Sequence, residues 1–309
     1  MMNEPLKVII DTDPGVDDAI AILMALAWPR IAPNIELVGI TTVGGNVALA
    51  RATRNALALL GYAGRQDLPV AEGASRPLRG RYGYSYKFHG RTGLSQRLPR
   101  PTSRAINANA VEYLAHQLQS EPGQCHLIAL GPLTNLAQLM AAYPHALSQA
   151  ASIVVMGGAI EVPGNVTPHA EFNFYSDPVA ANEVISSGIP LTLVDLSACR
   201  QAFIGRDEVE SLKSASPVGR LVVQILHNWF RKDPNRQRFE FYDPLALAVA
   251  LRPGLIARRQ LEVEVETSNL ARLGQSKVVS NEGPVAVAND VDGQAFAVLF
   301  YDLFELTSR

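Results

Sequence analysis

Along the chain, short runs rich in consecutive apolar residues alternate with longer stretches whose apolar positions recur every three or four residues. The runs "LKVIID", "IELVGITTV", "CHLIALG", "ASIVVMGG", "PLTLVDL" and "LEVEVE" predict strands, largely continuous in apolar residues as strands covered on both faces are. Helical patterns lie between them, over 17–27, 47–60, 105–119, 133–142 and 177–186. Such alternation predicts βαβ units: an α/β fold with a single open, mostly parallel (mixed) β-sheet flanked by helices. Asp177-Pro178 and Asp243-Pro244 predict helix starts, with Asp as N-cap and Pro at the first helical position. The less regular segments 74–101 and 197–242 read as insertions flanking a site. No repeat or Pro/Gly/Ser linker interrupts the pattern, so 1–309 is expected to form one domain.

Composition narrows the function. With 309 residues and 48% hydrophobic content the chain can bury a large core. A formal net charge of -2, with no run of Lys or Arg, offers no field for nucleic acid, so a small or neutral ligand is expected. The start "MMNEPLKVII" lacks a signal-like basic region and apolar core, and no apolar segment approaches a membrane span. A cytoplasmic protein is expected, with Cys125 and Cys199 as reduced core thiols.

In open α/β sheets, ligands bind beyond the carboxyl ends of the strands. The first strand-to-helix junction there is "DTDPGVDDA", with Asp11, Asp13, Asp17 and Asp18 crowded into eight residues. A turn and a helix N-terminus account for one or two of these acids. Four together repel one another, a cost that a cation removes. Later junctions add Asn46, Thr134 and Asn135, then Asn165, Glu171 and Asn173, and the "YDP" of Tyr242 and Asp243. Nearly all offer oxygen. Oxygen donors select a hard cation such as calcium or magnesium, and no His/Cys cluster suggests zinc. A cation with open positions can orient a diol and acidify water, while nearby amides and acids suit sugar hydroxyls. The residues themselves thus reach a metal-assisted hydrolase of a polyhydroxylated substrate.

The ordered set "DTDPGVDDA", "TTVGGN", "FHGRTGL", "GPLTN", "MGGA", "GNVTPHAEFNFYSDPVAA" and "YDPLAL", spread over residues 11–247, resembles the inosine-uridine preferring nucleoside hydrolases. The resemblance implies a Rossmann-like nucleoside hydrolase fold and hydrolysis of the N-glycosidic bond of ribonucleosides to ribose and free base. It also implies a bound calcium ion (Ca2+) and a homodimer or homotetramer. By the same resemblance Asp13 contacts calcium and serves as general base, Asp18 and Asp243 are calcium ligands, and Thr134 supplies a main-chain carbonyl. Asp17 would take the ribose 2-hydroxyl, Asn46 would lie beside the ion and the water, and Asn165, Glu171 and Asn173 would hold the 3- and 5-hydroxyls. Asp11 is expected to face away from the ion.

One departure stands out. Many members carry histidine before the calcium-binding aspartate, as proton donor to the leaving base; here that residue is Tyr242. A phenol can donate a proton but matches neutral pH less well than imidazole. His89 matches another pocket histidine of the family, and His227 in "LVVQILHNWF" is a further substrate-side candidate. Three other readings compete. A DxD phosphatase is disfavoured by Gly15 and by the lack of nearby basic residues. A ribosyl hydrolase of a modified ribonucleoside or nucleotide, and a non-catalytic calcium-dependent sugar-binding protein, would use the same oxygens.

Overall fold

The computed structural model describes residues 5–308. Eight strands form the central sheet: β1 Leu6–Thr12, β2 Ile35–Thr42, β3 Val70–Glu72, β4 Cys125–Ala129, β5 Ser152–Met156, β6 Leu191–Val194, β7 Ile256–Val265 and β8 Ser276–Val291. Their spatial order is β7-β8-β6-β5-β4-β1-β2-β3. Every pair is parallel except β7 with β8, an antiparallel hairpin at one edge. The sheet is therefore mostly parallel and mixed, as its apolar runs predict. The strand Val70–Glu72 and the long strand Ser276–Val291 carry too little apolar continuity to be anticipated.

Successive side chains of a strand point to opposite faces, and β1 divides accordingly. Val8 and Ile10 join the core beneath the helices Val16–Ala27, Pro217–Arg231, Tyr242–Leu251 and Gly293–Phe304. Ile9 joins the core beneath Ala110–Ser120, Thr134–Ala142 and Pro178–Ile185. Each fully buried Ile, Leu or Phe contributes about 1.5–3 kcal/mol, so the strand ends are held on both sides. Rigid strand ends are what a site built at junctions needs.

Asp177 caps the helix Pro178–Ile185 as predicted, accepting from the Ala180 amide at 3.1 Å. The other predicted cap is corrected: that helix starts at Tyr242, with Phe241 as N-cap, so Asp243 sits inside the first turn. Its carboxylate is thereby freed from capping. Cys125 and Cys199 are buried and unpaired with each other. No helix among the described residues is long and apolar enough to cross a membrane.

Candidate active site

Parallel β1, β2, β4 and β5 end on one edge of the sheet, so the loops after them converge. Asp11 is the last but one residue of β1, and its Oδ1 accepts from Thr41 Oγ1 at 2.6 Å and Asn135 Nδ2 at 2.7 Å. Those bonds turn it toward β2 and the helix Thr134–Ala142, away from the other acids, as expected. Asp13 follows the strand. Its carboxylate accepts from the Asn46 main-chain amide at 2.5 Å and from Asn46 Nδ2 at 3.3 Å. The glycines of "TTVGGN" permit that approach, because a Cβ on Gly45 would stand 2.0 Å from Asp13 Oδ2.

Asp17 and Asp18 occupy the first turn of Val16–Ala27, where the helix dipole favours negative charge. Asp18 accepts from Thr12 Oγ1 at 2.5 Å, the Gly15 amide at 2.9 Å and Asn46 Nδ2 at 3.0 Å. Asn46 thus bridges Asp13 and Asp18. Asp17, Asp18 and Asp243 each offer a carboxylate oxygen within 4.8 Å of the others, and all three are buried. Asp17 Oδ1 is buried with no hydrogen-bond partner. Among the described residues no Lys or Arg pairs with Asp11, Asp13, Asp17, Asp18 or Asp243.

That crowding sets the protonation. Burial, then the Asp18 charge, holds Asp13 well above the ordinary carboxylate range and lifts Asp17 to about 8. Asp243 is raised strongly by burial and by Asp18, Asp17 and Asp13. Burial lifts Glu171 to about 7, against opposing amide hydrogen bonds, and Asp11 to about 6. An orphaned buried oxygen among mutually repelling carboxylates, all hard oxygen donors, fits a divalent cation. Raised folded values mean that, without a cation, the folded chain binds more protons than the unfolded chain above the ordinary carboxylate range. Its stability is then present at low pH and lost as pH rises through about 6 to 8. The thermal midpoint of cation-stripped protein is expected to fall from about pH 5 to about pH 8, and added calcium should raise it and flatten the slope. A midpoint in stripped protein that rises over that window would contradict this electrostatic account.

A cavity of about 430 Å³ opens over the acids, lined by Asp17, Asn46, Phe88, His89, Leu130, Met156, Asn165, Glu171, Asn173, Arg236, Tyr242 and Asp243 among others. The volume suits a small polar ligand. A larger groove of about 960 Å³ beside Leu49–Tyr62 holds none of the clustered acids; the chemistry lies with the smaller one. Asn173 Nδ2 donates to the Leu130 and Met156 carbonyls at 2.8 and 3.2 Å, which fixes the amide. Glu171 caps the short helix Phe172–Ser176, accepting from the amides of Gly158, Asn173 and Phe174. A carboxylate has about four acceptor positions, so one is left for the cavity. Asn165 is exposed, on the cavity rim.

Beside the acidic turn, His89 Nδ1 accepts from the Val16 amide at 3.0 Å and lies 3.7 Å from Asp17 Oδ1. Burial, with Lys232 and Arg236, lowers its pKa to about 3, so the ring is neutral and carries its proton on Nε2. Tyr242 lines the cavity, but its hydroxyl donates to Glu240 Oε2 at 2.7 Å, and burial with Glu240 raises its pKa far above that of a free phenol. Thr134 Oγ1 donates to Asp177 at 2.7 Å and bonds the Tyr82 hydroxyl, so its side chain is turned from the acids. His227, half-buried on Pro217–Arg231, is not among the lining residues. The fold therefore gathers Asp13, Asp17, Asp18, Asn46, Asp243, Asn173, Glu171, His89 and Tyr242, and leaves out His227. Leu130, Met156 and Arg236 were not anticipated. The first two read as ordinary core residues, and Arg236 sits in the polar stretch "DPNRQRFE", which carries no sign of a pocket.

The family model described as inosine-uridine preferring nucleoside hydrolase matches residues 8–298. Uridine nucleosidase 1 of Arabidopsis thaliana is 38% identical over 270 residues, covering 85% of this chain and 79% of that protein. Pyrimidine-specific ribonucleoside hydrolase RihA of Shewanella sp. (strain ANA-3) is 36% identical over 315 residues, covering 97% and 96%. Among solved structures, the plant nucleoside hydrolase PpNRh1 superposes with a TM-score of 0.90 at 34% identity, covering 97% of this chain and 99% of that one. A purine-preferring ribonucleoside hydrolase from Gardnerella vaginalis superposes at 0.88 with 27% identity, covering 96% and 98%.

Proposed function

The chain belongs to the inosine-uridine preferring nucleoside hydrolase family and is an N-glycosyl hydrolase of ribonucleosides, and we propose that it is a calcium-dependent enzyme preferring pyrimidine ribonucleosides, uridine above all. The observation that carries the metal-dependent reading is the buried trio Asp17, Asp18 and Asp243 with an unpartnered oxygen on Asp17. Pyrimidine preference is supported by relatives at 36–38% identity that are named for uridine or pyrimidine nucleosides.

In this reading Asp13, Asp18, Asp243 and the Thr134 main-chain carbonyl hold the ion. Bound there, a divalent cation supplies Lewis acidity and a fixed geometry for water and ribose hydroxyls. Asp13 is the general base: its two bonds from Asn46 aim the carboxylate, which accepts the proton from water. Asp17 accepts the ribose 2-hydroxyl through its free Oδ1. Asn173, Glu171 and Asn165 hold the 3- and 5-hydroxyls, with Asn173 locked by its two carbonyl partners. Positive charge grows on the anomeric carbon and ring oxygen as the glycosidic bond breaks, and the carboxylates beneath the ring stabilise it. We extend the reading to one domain over 1–309, in the cytoplasm, assembled as a homodimer or homotetramer. Support for the assembly rests on the family resemblance.

The test is a panel of initial rates on uridine, cytidine, inosine and 2-deoxyuridine. Uridine is expected to give the highest kcat/KM. Losing a hydrogen bond to a charged group costs about 1.5–3 kcal/mol, so 2-deoxyuridine should be slower by about 10- to 150-fold. Inosine turned over as fast as uridine would overturn the pyrimidine preference. Binding of ribose without turnover of any nucleoside would favour the sugar-binding reading instead.

A further inference from the structure

We infer that Arg236 is the electrostatic partner of the departing base: its guanidinium neutralises the charge that a pyrimidine acquires as the glycosidic bond breaks, in place of a proton from Tyr242. The inference rests on reading the cavity as a pyrimidine nucleoside site.

Three observations lead there. The first is where the Tyr242 proton goes. A hydroxyl has one hydrogen, and that of Tyr242 is donated to Glu240 Oε2 at 2.7 Å. Glu240 Oε1 is in turn paired with Arg238 at 2.6 Å, so the carboxylate is held in place. Toward the cavity Tyr242 offers lone pairs. The residue at the usual donor position is thus an acceptor.

The second is what else reaches that side of the cavity. Arg236 lines it, and its side chain is only 14% exposed. The guanidinium lies over the Trp229 ring, 4.0 Å from carbon to centroid, and 5.4 Å from the Phe88 centroid. Nη1 donates to the Trp229 carbonyl at 2.8 Å, and Nη2 makes only a long 3.5 Å contact with the Phe88 carbonyl. The nearest carboxylate is Asp233, 4.0 Å from Nε and half out in solvent. An arginine has five N–H donors and keeps its charge at any physiological pH. Two stacked rings therefore hold in the cavity a fixed cation with donors to spare.

The third is the layout of charge. Asp17, Asp243 and Glu171 line the same cavity as Arg236 and the exposed Lys87, so carboxylates and a buried guanidinium face one volume. Lys232 Nζ donates to the His89 carbonyl at 3.1 Å, a further cation behind that histidine. The transition state carries charge of both signs, positive on the sugar and negative on the base, and preorganised charges aimed at both ends stabilise it.

The step balances without a general acid. The water oxygen bonds to C1′ as the C1′–N1 bond breaks, and the bonding pair goes to the base. The water proton passes to Asp13. The pyrimidine leaves as its anion, its charge shared between N1 and O2 beside the guanidinium, and then takes a proton from solvent while Asp13 releases its own. A purine whose departure depends on protonation of a ring nitrogen gains little from a group that cannot give up a proton, so Arg236 also favours pyrimidines over purines.

Arg236→Gln and Arg236→Lys, assayed on uridine and on p-nitrophenyl riboside, test the assignment. The nitrophenolate departs without help, so a residue acting on the leaving group matters for uridine alone. Arg236→Gln should lower kcat on uridine by about 10²–10³-fold, the scale of removing one preorganised donor, and p-nitrophenyl riboside by less than about fivefold. Arg236→Lys keeps the charge and loses the planar fork, so its loss on uridine should be smaller, and it decides the matter should the glutamine variant fail to fold. Tyr242→Phe should affect both substrates mildly and alike. Equal losses on the two substrates in the Arg236 variants would overturn the assignment and leave the hydrolase reading standing. A selective uridine loss in Tyr242→Phe would return the proton to Tyr242. Wild-type protein active on p-nitrophenyl riboside and inert toward uridine would remove the pyrimidine reading and this assignment together.

Discussion

Protein stripped of divalent cation is expected to lose uridine turnover by at least about 10³-fold, the upper scale of removing a preorganised electrostatic element, and to recover it when calcium is restored. The expectation follows from how the acids are left. Asp17, Asp18 and Asp243 bring oxygens within 4.8 Å of one another in a buried pocket, and no Lys or Arg among the described residues pairs with them. Without an ion, burial and mutual repulsion push Asp13, Asp17 and Asp243 toward their protonated forms. A protonated Asp13 cannot accept a proton from water. A protonated Asp17 is a poorer partner for the 2-hydroxyl. Cation loss therefore disables water activation and ribose binding together. Asp243→Ala should lower bound calcium and rate in parallel, because Asp243 stands in the first turn of its helix with no capping bond to hold it elsewhere. The check is metal content by atomic emission alongside initial rates; full activity in metal-free protein would contradict the expectation.

The second large effect is expected at Asp13. General base catalysis contributes typically about 10²–10⁴-fold, and Asp13→Asn removes the base while leaving the shape. The amide oxygen can still accept from the Asn46 main chain, now bonded at 2.5 Å. Only the longer 3.3 Å contact with Asn46 Nδ2 loses its acceptor. Asp18 keeps its own donors, Thr12, Gly15 and Asn46, so most of the ion's surroundings survive. Turnover should fall by about 10²–10⁴-fold with little change in the binding of ribose.

Much of this was legible before the structure. Parallel strands announce themselves as apolar runs, and β1, β2, β4, β5 and β6 lie where those runs predict. Asp13 and Asn46 sit in the turns after strands and Asp18 in the first turn of the helix that follows, where spacing along the chain nearly fixes spacing in the fold. Asp11 could be set apart because one acid of the "DTD" pair must face away from an ion, and in the fold Thr41 and Asn135 claim its oxygen. What sequence could not supply is set by contacts far apart in the chain. The strand Ser276–Val291 is polar along much of its length, since only Val285–Val287 pair with Leu191–Val194 on the inner side and the rest pairs with the edge strand Ile256–Val265 alone. His227 was a candidate on the helical stretch "LVVQILHNWF", yet helix phase decides which side chains face the cavity, and it is not among the lining residues. Tyr242 matched the donor position, but the bond that occupies its proton runs to Glu240, a polar residue with no signature of its own. Arg236 became visible only when its stacking on Trp229 placed it over the cavity.

The most direct measurement of the central claim, that Asp13 draws the proton from water above an acid-held cation, is the turnover of Asp13→Asn on uridine at saturating calcium, with bound calcium counted in both proteins. The account predicts calcium retained and kcat lowered by about 10²–10⁴-fold relative to wild type. Calcium retained with near-normal turnover would contradict it.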